Sequence, residues 1–145
     1  MSREGGFTLI ELLLSVTIIG LLTALSLPVY ETFARRNDLD LTAQNVASAM
    51  RRAQVYARGN NYDSNWGVKF QAGSATLYRG ASYATRTAGF DEAITIPGTV
   101  AVSGLDDIQF AKLTGVPSAT GTLTLTSTTN DSRAITLNAE GMVNY

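Results

Sequence analysis

Residues 7–30 read FTLIELLLSVTIIGLLTALSLPVY, apolar apart from small hydroxyls and the single carboxylate of Glu11. As an α-helix at about 1.5 Å per residue this stretch is roughly 36 Å long. A bilayer core of about 30 Å needs about 20 such residues. The stretch is therefore expected to be a transmembrane helix. A secretory signal peptide is the competing reading, with Ala24-Leu25-Ser26 as a small-x-small cleavage site, but its apolar core is normally shorter. Charge does not orient the segment, because Arg3 lies before it and Arg35 and Arg36 after it.

Around this stretch the 145-residue chain falls into four zones. Residues 1–6 are a short polar leader, MSREGG; residues 7–30 are the apolar segment; residues 31–58 carry five Arg and three acids; residues 59–145 are rich in Thr, Ser and Gly with short β-branched runs. Their charges are 0, −1, +2 and −2, which sum to the chain's net −1. That balance argues against capture of nucleic acid by the whole molecule, so DNA stands as a partner without support. His and Cys are both absent. Ser-His-Asp and Cys-His catalysis therefore lack essential residues, and zinc, haem and iron–sulfur centres lack their usual ligands. No enzyme activity, metal or cofactor is expected.

A carboxylate within a membrane span costs roughly 2.5–3.5 kcal/mol on insertion scales, so Glu11 is a functional candidate by default. Its place in the first turn softens that cost, since the helix dipole favours a negative charge there. Upstream, Gly5-Gly6 leaves the backbone free to extend before Phe7. The run Gly6, Phe7-Thr8-Leu9-Ile10-Glu11-Leu12-Leu13, preceded by a short charged leader and followed by a long apolar helix, resembles the prepilin signal of the type IV pilin superfamily.

The resemblance implies that a prepilin peptidase cuts between Gly6 and Phe7 and that the new Phe7 amine is N-methylated. It also implies that Glu11 of one subunit faces the Phe7 amine of its neighbour in a packed filament. An α-amine with a pKa near about 8 is mostly cationic at neutral pH. Removing one member of a buried ion pair typically costs about 3–5 kcal/mol, so such a pair would set subunit register more than net stability. The implied partners are other pilin subunits, the peptidase and methyltransferase, a pilus assembly platform, and membrane lipid before assembly. The implied location is the cytoplasmic membrane with the head outside, then an extracellular or periplasmic filament. Pilin-like proteins often carry a proline where Pro28 stands. Proline removes a donor and clashes with the preceding turn, and Gly20 is a second weak point. One long helix, kinked or locally melted near Gly20–Pro28, is expected.

Beyond the apolar stretch, Leu39, Ala43, Val46, Met50, Ala53 and Ala57 recur at spacings of 4, 3, 4, 3 and 4, one face of a helix. Residues 31–58 thus continue the helix as an amphipathic segment. Gly59-Asn60-Asn61 ends it, with Arg58 favourable at its C-terminus. After residue 65 the pattern changes to a period of two. Strands are predicted at 66–70, 75–79, 93–96, 99–102, 107–112, 122–126, 133–138 and 142–144, with Pro97-Gly98 as a turn pair. The fold class is α+β: a long N-terminal helix packed on a mainly antiparallel sheet that forms a head over residues 59–145.

The order of Trp66-Gly67-Val68, Ile108-x-Phe110, Gly115, Thr122–Thr126, Arg133-x-Ile135-x-Leu137 and Glu140-Gly141-Met142-Val143 is similar to the GspH/FimT branch of minor pilins and pseudopilins. Many pilins close a C-terminal loop with a disulfide, and this chain cannot. Residues 80–105 match nothing in that pattern.

Other candidates weigh less. Asp106-Asp107, Asp91-Glu92 and Asn130-Asp131 lack the ligand spacing of a calcium loop, and no nucleophile supports Asp106 and Asp107 as an acid–base pair. Arg51-Arg52 is read as a solvated face with local acidic pairing. Tyr62, Trp66, Tyr78 and Tyr83 offer either a surface patch for stacking DNA or sugars or, at strand spacing, core packing. Two functions follow. The preferred one is a structural subunit of a type IV pilus-like filament, with a type II secretion pseudopilin as its alternative. The other is a secreted binding module with an ordinary signal peptide, whose mature chain would start near Leu27.

Overall fold

The residues described in the computed structural model are 6–145, without the side chains of 25–29 and 31. The leader residues 1–5 and the Pro28 side chain lie outside the described residues. The chain divides into two compact units, Met1–Ala34 and Arg35–Tyr145. One α-helix, α1 (Leu9–Arg58), runs through both.

In the first unit, every described side chain of α1 from Leu9 to Ala24 is exposed. Ser15, Thr17 and Thr23 return their hydroxyls to the carbonyls of Glu11, Leu13 and Ile19, at 2.7, 2.7 and 2.8 Å. Such back-bonding satisfies polar groups inside the helix itself, as an apolar surrounding requires. Among the described residues, no helix is long and apolar enough to cross a membrane. The stretch 7–30, expected to span a membrane, includes residues 25–29, whose side chains lie outside the described residues.

In the second unit, the expected face of α1 is buried: Leu39, Ala43, Val46, Met50, Ala53 and Ala57 all join one hydrophobic cluster. Thr42, Ala47 and Ala49 are buried as well. The stripe is wider than the periodicity implied because the core is closed by two sheets rather than one. The first sheet has the order β3-β2-β1-β5, with β1 (Trp66–Gln71), β2 (Ser74–Arg79), β3 (Glu92–Thr95) and β5 (Asp107–Phe110). The second has the order β4-β6-β7-β8, with β4 (Val100–Gly104), β6 (Gly121–Ser127), β7 (Ser132–Leu137) and β8 (Val143–Asn144). Each pair of neighbouring strands is antiparallel.

The chain passes from one sheet to the other between β3 and β4. The Pro97-Gly98 turn forms, with Val100 N–H donating to the Pro97 carbonyl at 2.9 Å, yet it does not close a hairpin. β3 pairs with β2, and β4 pairs with β6. Buried Ile96, whose N–H donates to the Gly73 carbonyl, anchors the chain where it changes sheet. A turn signal fixes local direction but not the partner strand.

Arg58 lies in the last turn of α1, as expected. The Arg58 guanidinium donates to the Thr114 and Glu140 carbonyls at 3.2 and 3.1 Å. Gln54 Nε2 donates to the Gly115 and Glu140 carbonyls. The last turn of α1 therefore stitches together the two loops that precede β6 and β8. Gly141 sits between them at φ 84, where a Cβ would meet the Gln54 amide.

Candidate processing and assembly site

The site begins where the helix begins. Gly6, Phe7 and Thr8 are non-helical and exposed, and Phe7 is 85% accessible. Thr8 is the N-cap: its Oγ1 accepts the Glu11 N–H at 3.3 Å, and its carbonyl accepts the Leu12 N–H at 3.2 Å. Thr8-x-x-Glu11 has the composition of a capping box, and a cap of this kind satisfies one of the helix's orphan donors. In the sequence, the three-residue spacing from Thr8 to Glu11 is the signal of this cap.

Glu11 lies in the first turn of α1 and is exposed. Its carboxylate has no hydrogen-bond or ion-pair partner among the described residues. The surrounding surface is Leu9, Ile10, Leu12, Leu13 and Leu14, each more than half exposed. A helix apolar on all sides is one that is buried in a protein core or in lipid. Contiguous apolar surface of this extent marks an interaction site. Gly20 is in the same helix with open space around it.

Other sequence candidates are distributed over the head. Asp106 and Asp107 do not act as a pair. Asp106 meets Lys69, and Asp107 accepts the Tyr78 hydroxyl at 2.7 Å. Asp91 is held by Arg86, Glu92 by Arg52, and Asp131 by Arg36. Arg51 donates to the Val143 carbonyl and lies over the Tyr145 ring, so the Arg51-Arg52 pair is engaged within the head. The four-aromatic patch divides. Tyr78 is fully buried and stacks edge-on with Tyr83, whereas Trp66 and Tyr62 gather with Tyr56 and Phe90. The residues that the head resemblance rests on are chiefly core: Phe110, Ile135, Leu137 and Val143 are buried, and Arg133 pairs with Asp40.

No solved structure matches this chain significantly. Residues 1–27 match the family model of the prokaryotic N-terminal methylation motif. The chain thus carries a prepilin-type N-terminus, which supports a type IV pilin-like protein.

Proposed function

We propose that the protein is a structural subunit of a type IV pilus-like filament. The observation that carries this reading is the methylation-motif match over residues 1–27. Around it stand Glu11, a carboxylate without a partner among the described residues on an exposed apolar helix, and a non-helical, exposed backbone at Gly6–Phe7. Prepilin peptidase cuts between Gly6 and Phe7, and the Phe7 amine is methylated. The apolar segment 7–30 anchors the chain in the cytoplasmic membrane with the head outside, then moves into a filament core. Both settings are apolar, so the transfer has no large hydrophobic free-energy gap. Glu11 meets the Phe7 amine of the adjacent subunit and sets the axial register, and the segment around Gly20 and Pro28 yields as the helices pack.

A type II secretion pseudopilin is the second reading, favoured by the similarity of the head's residue order to the GspH/FimT branch. Mass spectrometry of the mature N-terminus tests the first step. N-methyl-Phe7 is the expected start, and a start near Leu27 would overturn the proposal in favour of a secreted module. Coprecipitation with sheared surface pili, against retention in the envelope of cells exporting secreted proteins, separates the two filament types.

A further inference from the structure

Beside the end of α1 the head contains a groove of about 340 Å³ whose walls are the rings of Tyr56, Tyr62, Trp66 and Phe90. Small-ligand sites are concavities of about 300–1,000 Å³, largely aromatic or apolar, with a few polar groups at fixed positions. Asn61 and Glu92 supply such groups at the rim. Both are solvent-accessible, and Glu92 is oriented by Arg52 at 2.8 Å.

The walls are organised without a ligand. Tyr62 and Phe90 have ring centroids 4.7 Å apart, and Tyr56 and Trp66 4.9 Å. The Arg79 guanidinium lies 5.0 Å from the Tyr62 ring and 4.8 Å from the Phe90 ring, and it donates to the Tyr62 carbonyl. The indole N–H of Trp66 donates to the Asn61 carbonyl at 3.1 Å. Tyr62 itself is held at φ 59 while 63% exposed. A bulky residue at positive φ is strained, and the Tyr62 ring stays more than half exposed while it packs against Phe90 and Arg79. Core packing explains Trp66 but not Tyr62.

We propose that this groove binds a pyranose sugar, its apolar C–H face stacked on Tyr62 and its hydroxyls meeting Glu92 and Asn61. A sugar is the ligand class that presents an apolar face and a rim of hydroxyl donors and acceptors together. A carboxylate accepts two hydroxyls, and an Asn amide both donates and accepts. Stacked nucleic-acid bases would also suit the rings. Their phosphates, however, would gain little from a head region of net charge −2, in which Arg52 and Lys112 are already paired with Glu92 and Asp63. The proposal stands apart from filament assembly, which uses the other end of α1.

Trp66 is the sole tryptophan and lies behind Tyr62 in the groove wall, ring centroids 6.4 Å apart, so its emission reports a change at that wall. The full chain in micelles of a non-glycosidic detergent is titrated with methyl α- and β-pyranosides of gluco, galacto and manno configuration and with N-acetylglucosamine. A saturable change in Trp66 emission in the millimolar range is expected for at least one of them. Tyr62→Gly removes the ring and also relieves the positive φ. It should keep the circular dichroism and thermal midpoint while weakening binding by at least about tenfold. Tyr145→Ala, exposed and outside the groove lining, should bind like wild type. The proposal is overturned if no pyranoside gives a saturable response, or if Tyr62→Gly binds as well as wild type. A saturable response to oligothymidine in place of any sugar would overturn it equally.

Discussion

Thr8 Oγ1 accepts the backbone N–H of Glu11 at 3.3 Å, so the residue that caps α1 also fixes the turn that carries the Glu11 carboxylate. The same cap leaves Gly6 and Phe7 outside the helix. Replacing a Thr N-cap by Ala typically costs about 1 kcal/mol. Thr8→Ala should therefore raise hydrogen exchange at the Glu11 amide roughly fivefold, in line with that cost. Thr8→Ser should stay near wild type, because it keeps the acceptor. Unchanged protection in Thr8→Ala would show that the bond does not hold the first turn.

Glu11→Ala removes the one carboxylate from the exposed apolar surface. Membrane insertion should be intact or slightly improved, since an apolar residue replaces one that costs roughly 2.5–3.5 kcal/mol to insert. Incorporation into filaments should fall sharply, because the neighbour's amine then has no counter-charge. Fractionation gives the first quantity, and subunit recovery in sheared filaments the second. Normal recovery would remove the register role assigned to Glu11.

Gly67 faces Tyr78 across the β1–β2 pair. A Cβ on Gly67 would lie 2.6 Å from the Tyr78 ring and 2.8 Å from the Ile108 carbonyl, both closer than side-chain carbons approach. Gly67→Ala should therefore destabilise the head by about 1–3 kcal/mol, the usual range for overpacking. A lower urea midpoint with an unchanged slope is the expected readout. In a Tyr78→Leu background the added loss should be smaller, because the two sites share one contact.

Burial, and then the hydrogen bond to Asp107, push the Tyr78 phenol well above its ordinary ionisation range. The unfolded chain releases that proton near about pH 10, and the folded chain holds it more tightly. The resulting stability is complete below pH 10 and declines as pH rises beyond it. Urea midpoints measured from pH 8 to 11.5 should fall at the alkaline end. Tyr78→Phe, which cannot ionise, should flatten that fall. An equally steep fall in Tyr78→Phe would assign the alkaline loss to other groups.

Much of the fold could be read from local pattern because local physics sets it. The 3.6-residue period at Leu39–Ala57 fixed which face of α1 is buried. The two-residue period after Trp66 located all eight strands within a few residues. Strand 107–112 was expected too long: it ends at Phe110, after which Leu113 N–H turns back to bond the Ala57 carbonyl. Residues 80–91 had no pattern to read, since their place is set by distant partners. Gln109 Nε2 donates to the Ala81 carbonyl, Thr87 N–H to the Arg79 carbonyl, and Tyr83 meets Tyr78.

The sequence by itself carries the N-terminal methylation motif over residues 1–27. That motif lies in the order and spacing of neighbouring residues, so it is legible without the tertiary structure. Only the tertiary structure decided that the strands divide into two sheets. It alone also separated Tyr62 and Trp66 from Tyr78 and joined them to Tyr56 and Phe90. The reason is that periodicity specifies which side of an element is apolar, whereas the partner on that side is chosen by packing between residues far apart in the chain.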